Sequence, residues 1–199
     1  MKFLKFSWVA ILLLFISFSL PAQNYFFANQ APFDTRIPTP EEFLGHPIGQ
    51  EHTRHDQMVA YFYKLAEVSD RAEIEVYGHT HERRKLVMLR ISSPENLKNL
   101  ESIKAKHLEF VNPVSKVNNY KDVPVFINLG YNVHGNEPSG GESSLLTAYT
   151  LVASNNEEVL KFLEDGVIFI DPVINPDGRE RHTQWANQYK ASPLVSDNQ

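Results

Sequence analysis

Near its amino end the chain carries an apolar run from Trp8 to Leu20, preceded by Lys2 and Lys5 and followed by Pro21 and Ala22. The run is shorter than the ~20 residues a membrane span needs. A basic start, an apolar stretch and a small-residue end form the pattern of a secretory leader. Residues 1–22 are therefore expected to be a signal peptide cleaved after Ala22, leaving a secreted or periplasmic protein without a stable membrane anchor. Residues 23–50 hold Pro32, Pro38, Pro40 and Pro47 and read as an extended arm. From Thr53 the spacing turns helical: Met58, Phe62, Leu65 and Ser69 fall on one stripe beside Val59 and Ala66, the geometry of a helix that packs on a core. Tyr61, Phe62 and Tyr63 are assigned to that packing rather than to a binding strip.

Farther on, Glu73–Tyr77 alternates, 78–84 is polar, and Lys85–Ser92 is rich in β-formers, a pattern that predicts a β-hairpin with a long connection. Ser93-Pro94 is a helix start signal, and Leu97, Leu100 and Ile103 continue at helical spacing. Val123–Leu129 is a continuous apolar run, the mark of a strand covered on both faces. Gly141–Ser154 reads as a helix with a broad apolar face, Glu157–Glu164 as a short helix ended by a left-handed Gly166, and Val167–Ile174 as a second buried strand. Strand, loop, helix, strand is the βαβ pattern, which implies parallel strands and a helix-flanked sheet. From His182 to Gln199 the periodicity is lost.

Composition narrows the function. A hydrophobic content of 42% over 199 residues is enough for a sizeable core. The formal charge of −5 comes from interspersed acids and bases without a basic stripe, which argues against nucleic acid as a partner. The chain has no cysteine, which excludes a disulfide framework, a thiolate nucleophile and cysteine-ligated zinc.

Two segments carry candidate chemistry. Tyr131-Asn132-Val133-His134-Gly135-Asn136-Glu137-Pro138 follows the first buried strand and precedes a helix. His134 and Glu137 are three residues apart, so across a tight turn an imidazole and a carboxylate, both good zinc ligands, can converge. Open α/β sheets bind ligands beyond the carboxyl ends of their strands, which is where this segment falls. A His, a Gly, an Asn and a Glu after a strand are also ordinary loop residues. The second segment is Asp171-Pro172-Val173-Ile174-Asn175-Pro176-Asp177-Gly178-Arg179, in which Asn-Pro-Asp-Gly has the composition of a turn. His52/His55 and His79/His81 have spacings that can hold a metal but no third histidine nearby, and they read as surface residues.

In combination, a strand then His-Gly-Asn-Glu-Pro, a helix, and a strand then Asn-Pro-Asp-Gly-Arg resemble the M14 zinc carboxypeptidase family, the funnelin-type metallocarboxypeptidases. Tyr77-Gly78, the polar turn with Glu82-Arg83-Arg84, and the strand Leu86-Val87-Met88 are similar to that family's early hairpin, and the resemblance runs over about residues 50 to 185. It implies an α/β fold with a mixed, mostly parallel sheet flanked by helices, residues 51–199 being the amino-terminal part of a catalytic domain incomplete at its carboxyl end. It implies Zn2+ as cofactor, with His134 and Glu137 matching the first two ligands and a second histidine far downstream as the third. The implied reaction is hydrolysis of carboxy-terminal bonds of a peptide or protein substrate by a zinc-activated water, with a late glutamate as general base.

The chain departs from that pattern beyond Glu137, where its sole histidine is His182, just past the turn, which reads as a solvated loop residue. The third ligand, the general-base glutamate and the Asn-Arg pair for the substrate carboxylate have no match, and Arg179 and Arg181 follow the turn too closely for the family's carbonyl-polarising arginine. The 199-residue chain alone is therefore expected to be an inactive fragment. A related zinc amidohydrolase of the acyl-amino-acid deacylase type also uses His-Gly-Asn-Glu-Pro, but the leader and the Asn-Pro-Asp-Gly segment count against it. A non-catalytic binding remnant is the further alternative.

Overall fold

A computed structural model describes residues 23–116, 121, 123–192, 195 and 196. The expected leader, residues 1–22, lies outside the described residues. Two short helices, α1 (Gln23–Phe27) and α2 (Pro40–Leu44), precede the long α3 (His55–Val68), the hairpin β1 (Ala72–His79) and β2 (Lys85–Ile91), and helices α4 (Pro94–Lys98) and α5 (Leu100–Val111). Strand β3 (Val125–Gly130), helices α6 (Pro138–Ala153) and α7 (Glu157–Asp165), strand β4 (Gly166–Asp171) and helix α8 (Pro176–Gln188) follow, with a small ladder of β5 (Lys190–Ser192) and β6 (Val195–Ser196).

The main sheet has the order β1-β2-β4-β3 and is mixed: β1/β2 and β2/β4 are antiparallel, and β3/β4 is parallel. The parallel pair is the one predicted from the βαβ pattern, whereas the ladders on the hairpin side are antiparallel because β2 enters beside β4 from the opposite direction. β4 is central and buried along its length, while β3 exposes Val125, Asn128 and Gly130. The expectation that β3 is covered on both faces holds in part: Ile127 and Leu129 pack on the core and Phe126 is half-buried on the other face, while Val125, Asn128 and Gly130 stay exposed on a strand that, among the described residues, forms the sheet edge.

One face of the sheet packs against α3 and α6 through Met58, Phe62, Leu65, Leu89, Ile91, Leu145, Val152, Ile168 and Ile170, all essentially inaccessible. On the other face His107 of α5 stacks on Phe126, with ring centroids 4.1 Å apart, and Phe126 meets Phe169 edge-on. The helical stripe read from Met58, Phe62 and Leu65 is thus the seam of the core. Tyr61 and Phe62 are fully buried, and the half-exposed Tyr63 lies under the Lys85 ammonium.

Three local expectations change. Gly166 follows α7 as its cap in an extended conformation (φ −141°), not a left-handed one, and begins β4; a Cβ there would lie 3.2 Å from the Phe162 carbonyl oxygen, a tight approach that glycine avoids. Asn-Pro-Asp-Gly is a helix start: Asn175 is the N-cap, its Oδ1 accepts from the Gly178 N–H at 2.9 Å, and Pro176 opens α8. The buried face of α8 is Pro176, Arg179, Thr183 and Ala186, a helical spacing invisible to a search for apolar stripes.

The stretch expected as an extended arm is partly helical and joined to the core. Thr39 and Glu42 form a reciprocal capping box, Pro40 opens α2, and Gly45 closes it at φ +79°. Phe33 stacks on Tyr149 at 5.2 Å, Phe27 packs edge-on against both rings, and the Asp34 N–H and the Pro32 carbonyl bond to residues ending α6. Among the described residues no helix is long and apolar enough to cross a membrane.

Two outcomes follow from this packing. Replacing Phe33 by Ala should cost about 2 kcal/mol in urea unfolding, since a partly buried ring and two aromatic contacts are lost; an unchanged midpoint would detach the arm from the core. His55 is buried, its Nδ1 has no hydrogen-bond partner, and burial holds its imidazole below the ordinary 6.5 despite a bond to the Lys85 backbone. The unfolded chain takes up this proton first, so stability is full above about pH 6.5 and falls as the pH drops below it. The urea midpoint should decline between about pH 7 and pH 5, and His55→Gln should flatten that decline; an identical slope in the variant would contradict it.

Candidate metal centre

Parallel pairing of β3 and β4 sends both motif segments out of the same end of the sheet, and their backbones stay bonded beyond it. The Tyr131 N–H donates to Asp171 O (2.9 Å), Ile174 N–H to Tyr131 O (3.0 Å) and Asn175 N–H to Asn132 O (3.2 Å). Asp171 anchors the second segment: its Oδ1 accepts from Val173 N–H at 3.2 Å and its Oδ2 from the Tyr77 hydroxyl. Burial pushes the Asp171 carboxyl up from its usual range, opposed by those two hydrogen bonds. The antiparallel β2 starts beside the end of β4, so the hairpin turn arrives at the same place. Thr80 Oγ1 donates to Asp177 at 2.7 Å, Arg84 Nη1 at 2.8 Å and the Glu82 N–H at 3.2 Å.

His134 and Glu137 close a single turn, the Glu137 N–H donating to His134 O at 3.1 Å. Asn132 governs that turn. It is buried at φ +52°, a region asparagine tolerates better than most residues. Its side-chain Nδ2 donates to the carbonyl oxygens of both His134 (2.7 Å) and Glu137 (2.9 Å). One amide therefore holds the backbone of both candidate ligands. Their side chains are exposed, and neither makes a hydrogen bond or ion pair among the described residues. Two unengaged donors on a pinned turn suit a metal ion, but they are an incomplete set: among the described residues no three His, Cys, Asp or Glu side chains are grouped to hold one.

The turn lies against α8 at backbone contact. A Cβ built on Gly135 would come within 2.0 Å of the Gly178 carbonyl carbon and 2.1 Å of the Arg179 nitrogen. Beside this contact is an open cleft of about 410 Å³, lined by His134, Gly135, Asn136 and Asn175 and by Gly178, Arg181, His182 and Trp185 of α8. The last four recur at helical spacing on the face of α8 opposite its buried stripe. His182 is not solvated as the sequence suggested: it is half-buried, its Nε2 has no hydrogen-bond partner, and its ring meets that of His52 edge-on at 5.1 Å. His55 is buried as well, contrary to the surface reading of that pair, whereas His79 and His81 are exposed as expected.

The two arginines after the turn are both engaged. Arg181 pairs with Glu82 at the surface. Arg179 is completely buried and donates to Thr53 O through Nε (3.0 Å) and Nη2 (2.8 Å), to Pro138 O through Nη1 (3.0 Å), and to Glu142. Sequence reasoning missed Asn132, Thr53 and Glu142 as parts of this region. The only signal for Asn132 was its position inside the quoted motif, and Thr53 and Glu142 had none.

Compared with protein families, residues 58–193 match the family model described as zinc carboxypeptidase. Among solved structures, thrombin activatable fibrinolysis inhibitor is similar at 13% identity and a TM-score of 0.51, over 88% of this chain and 36% of that one. Carboxypeptidase A from Helicoverpa armigera is similar at 18% identity and a TM-score of 0.50, over 79% of this chain and 31% of that one. The chain thus spans about a third of the length of these structures, and at such identities the likeness is one of fold. No curated protein sequence matches it.

Gly135→Ala should destabilise the fold by more than about 3 kcal/mol or abolish folding, because the added carbon meets backbone that cannot rotate away. A variant with normal urea unfolding would show that the two segments are not interlocked.

Proposed function

The chain belongs to the zinc carboxypeptidase family, and on that premise we propose that it is the part of a secreted metallocarboxypeptidase that presents the first two zinc ligands, His134 and Glu137. The observation that supports this reading is the Asn132-pinned turn, which leaves an imidazole and a carboxylate exposed and unengaged beyond the ends of the parallel strands. When bound, the zinc ion supplies Lewis acidity that activates a water and polarises a peptide carbonyl. This chain's own residues contribute the floor of the site: Asn132 orients the ligand turn, and Asn175, Gly178, His182 and Trp185 wall the cleft in which a peptide chain would lie. The leader-like residues 1–22 support export before the protein meets its peptide substrate.

Two ligands hold zinc less firmly than the three of a catalytic site. No third ligand is grouped with them among the described residues, so we expect no peptidase turnover from the 199-residue chain alone; clear zinc-dependent hydrolysis by the purified chain would overturn that. Binding is directly testable, because Trp185 lines the cleft and the other tryptophan, Trp8, lies in the leader. Zinc should change the Trp185 fluorescence, and His134→Ala or Glu137→Ala should each weaken that response at least about tenfold. Equal affinities in the variants would remove these residues from the metal site.

A further inference from the structure

Arg179 and Glu142 form the most deeply buried ion pair among the described residues, with side-chain exposures of 0% and 10%. Nothing in the cleft requires a charge there, since Arg179 faces away from it. The pair is closed by Thr53, also fully buried, whose backbone N–H and Oγ1 donate to Glu142 at 2.8 and 2.6 Å while its carbonyl accepts two bonds from Arg179. Each partner's polar atoms are thereby satisfied. Even so, burying two charges is expensive, and a well-packed apolar pair of the same volume is often at least as stable. General stability is therefore a poor reason for it.

Its geometry gives a better one. Arg179 touches the ligand turn from beneath at two points: its backbone nitrogen underlies Gly135, and its Nη1 holds the carbonyl of Pro138, the residue after Glu137. The guanidinium also lies against Gly141, where a Cβ would meet Nη1 at 3.2 Å, a tight approach that the glycine leaves open. One planar fork thus fixes the start of α6, the entry to α3 and the start of α8 in a single arrangement, a task suited to arginine and not to a flexible lysine.

We propose that the Arg179–Glu142–Thr53 triangle is the positioning element of the His134–Glu137 turn, holding it on α8 so that both donors face an ion in one geometry. The proposal rests on the assignment of these two residues as zinc ligands. It makes Arg179, Glu142 and Thr53 positioning residues: none of them contacts the metal.

The test is zinc titration of the purified protein, followed through the side-chain nitrogen resonances of His134 by NMR, together with the thermal midpoint of each variant. Glu142→Gln should weaken zinc binding at His134 at least about tenfold, the size expected when the support of a ligand is lost. Val152→Ala, a core truncation on the same helix away from the triangle, should lower the thermal midpoint and leave zinc affinity within about twofold. Thr53→Val, which removes one hydroxyl and keeps the backbone bonds, should give a smaller loss in the same direction, and it carries the test if Glu142→Gln does not fold. If the triangle variants bind zinc as the unmodified protein does, the triangle is only structural and the proposal fails. If the unmodified protein shows no zinc-dependent change at His134, the ligand assignment itself fails and the proposal with it.

Discussion

Two stretches of backbone, 131–135 and 171–179, cross at van der Waals contact beyond the end of the sheet, and the rest of the site depends on that crossing. Parallel pairing of β3 with β4 brings the stretches out together, and three further backbone hydrogen bonds continue the pairing into the loops. The contact of Gly135 with Gly178 and Arg179 leaves no room for a side chain. A turn built in this way has little freedom, because its backbone is bonded on one side by Asn132 and seated on a helix start on the other. Were the turn to take up a metal, preorganisation of this kind would keep the entropy of ordering a loop out of the binding step.

Around the crossing the fold adds support from three directions. The hairpin turn reaches the first turn of α8 through Asp177, the entry to α3 is tied to α6 and α8 through Thr53, and Asn187 of α8 holds the backbone of His52 on both its N–H and its carbonyl. Each tie is polar, and each joins segments far apart in sequence. The apolar core between the sheet and α3 and α6 holds the layers together, but these ties set where the layers end relative to one another.

The fold was legible where burial is written in apolar residues. The stripe of Met58, Phe62 and Leu65, the hairpin, and the two strands flanking a helix all follow from side-chain periodicity, and the parallel pair follows from their order. It was illegible where burial is polar. Helix α8 buries Arg179 and Thr183, so its inward face looks like a loop, and Asn-Pro-Asp-Gly, equally good as a turn, is in fact its N-cap. The candidate site was legible as a pair of residue types at a suitable spacing. Its supports were not: Asn132 matters because of a left-handed backbone, Glu142 because of a partner 37 residues away, and His182 because α8 exists at all. Family resemblance supplied the remainder, and the family match over residues 58–193 agrees with it.

Anomalous diffraction at the zinc absorption edge, from crystals grown with zinc, is the most direct test of the assignment of the turn between β3 and α6 as a metal-ligand turn. An anomalous peak is expected within about 2.0–2.2 Å of both a ring nitrogen of His134 and a carboxylate oxygen of Glu137. A peak seated instead on His52 and His182, or none beside the turn under zinc saturation, would contradict it.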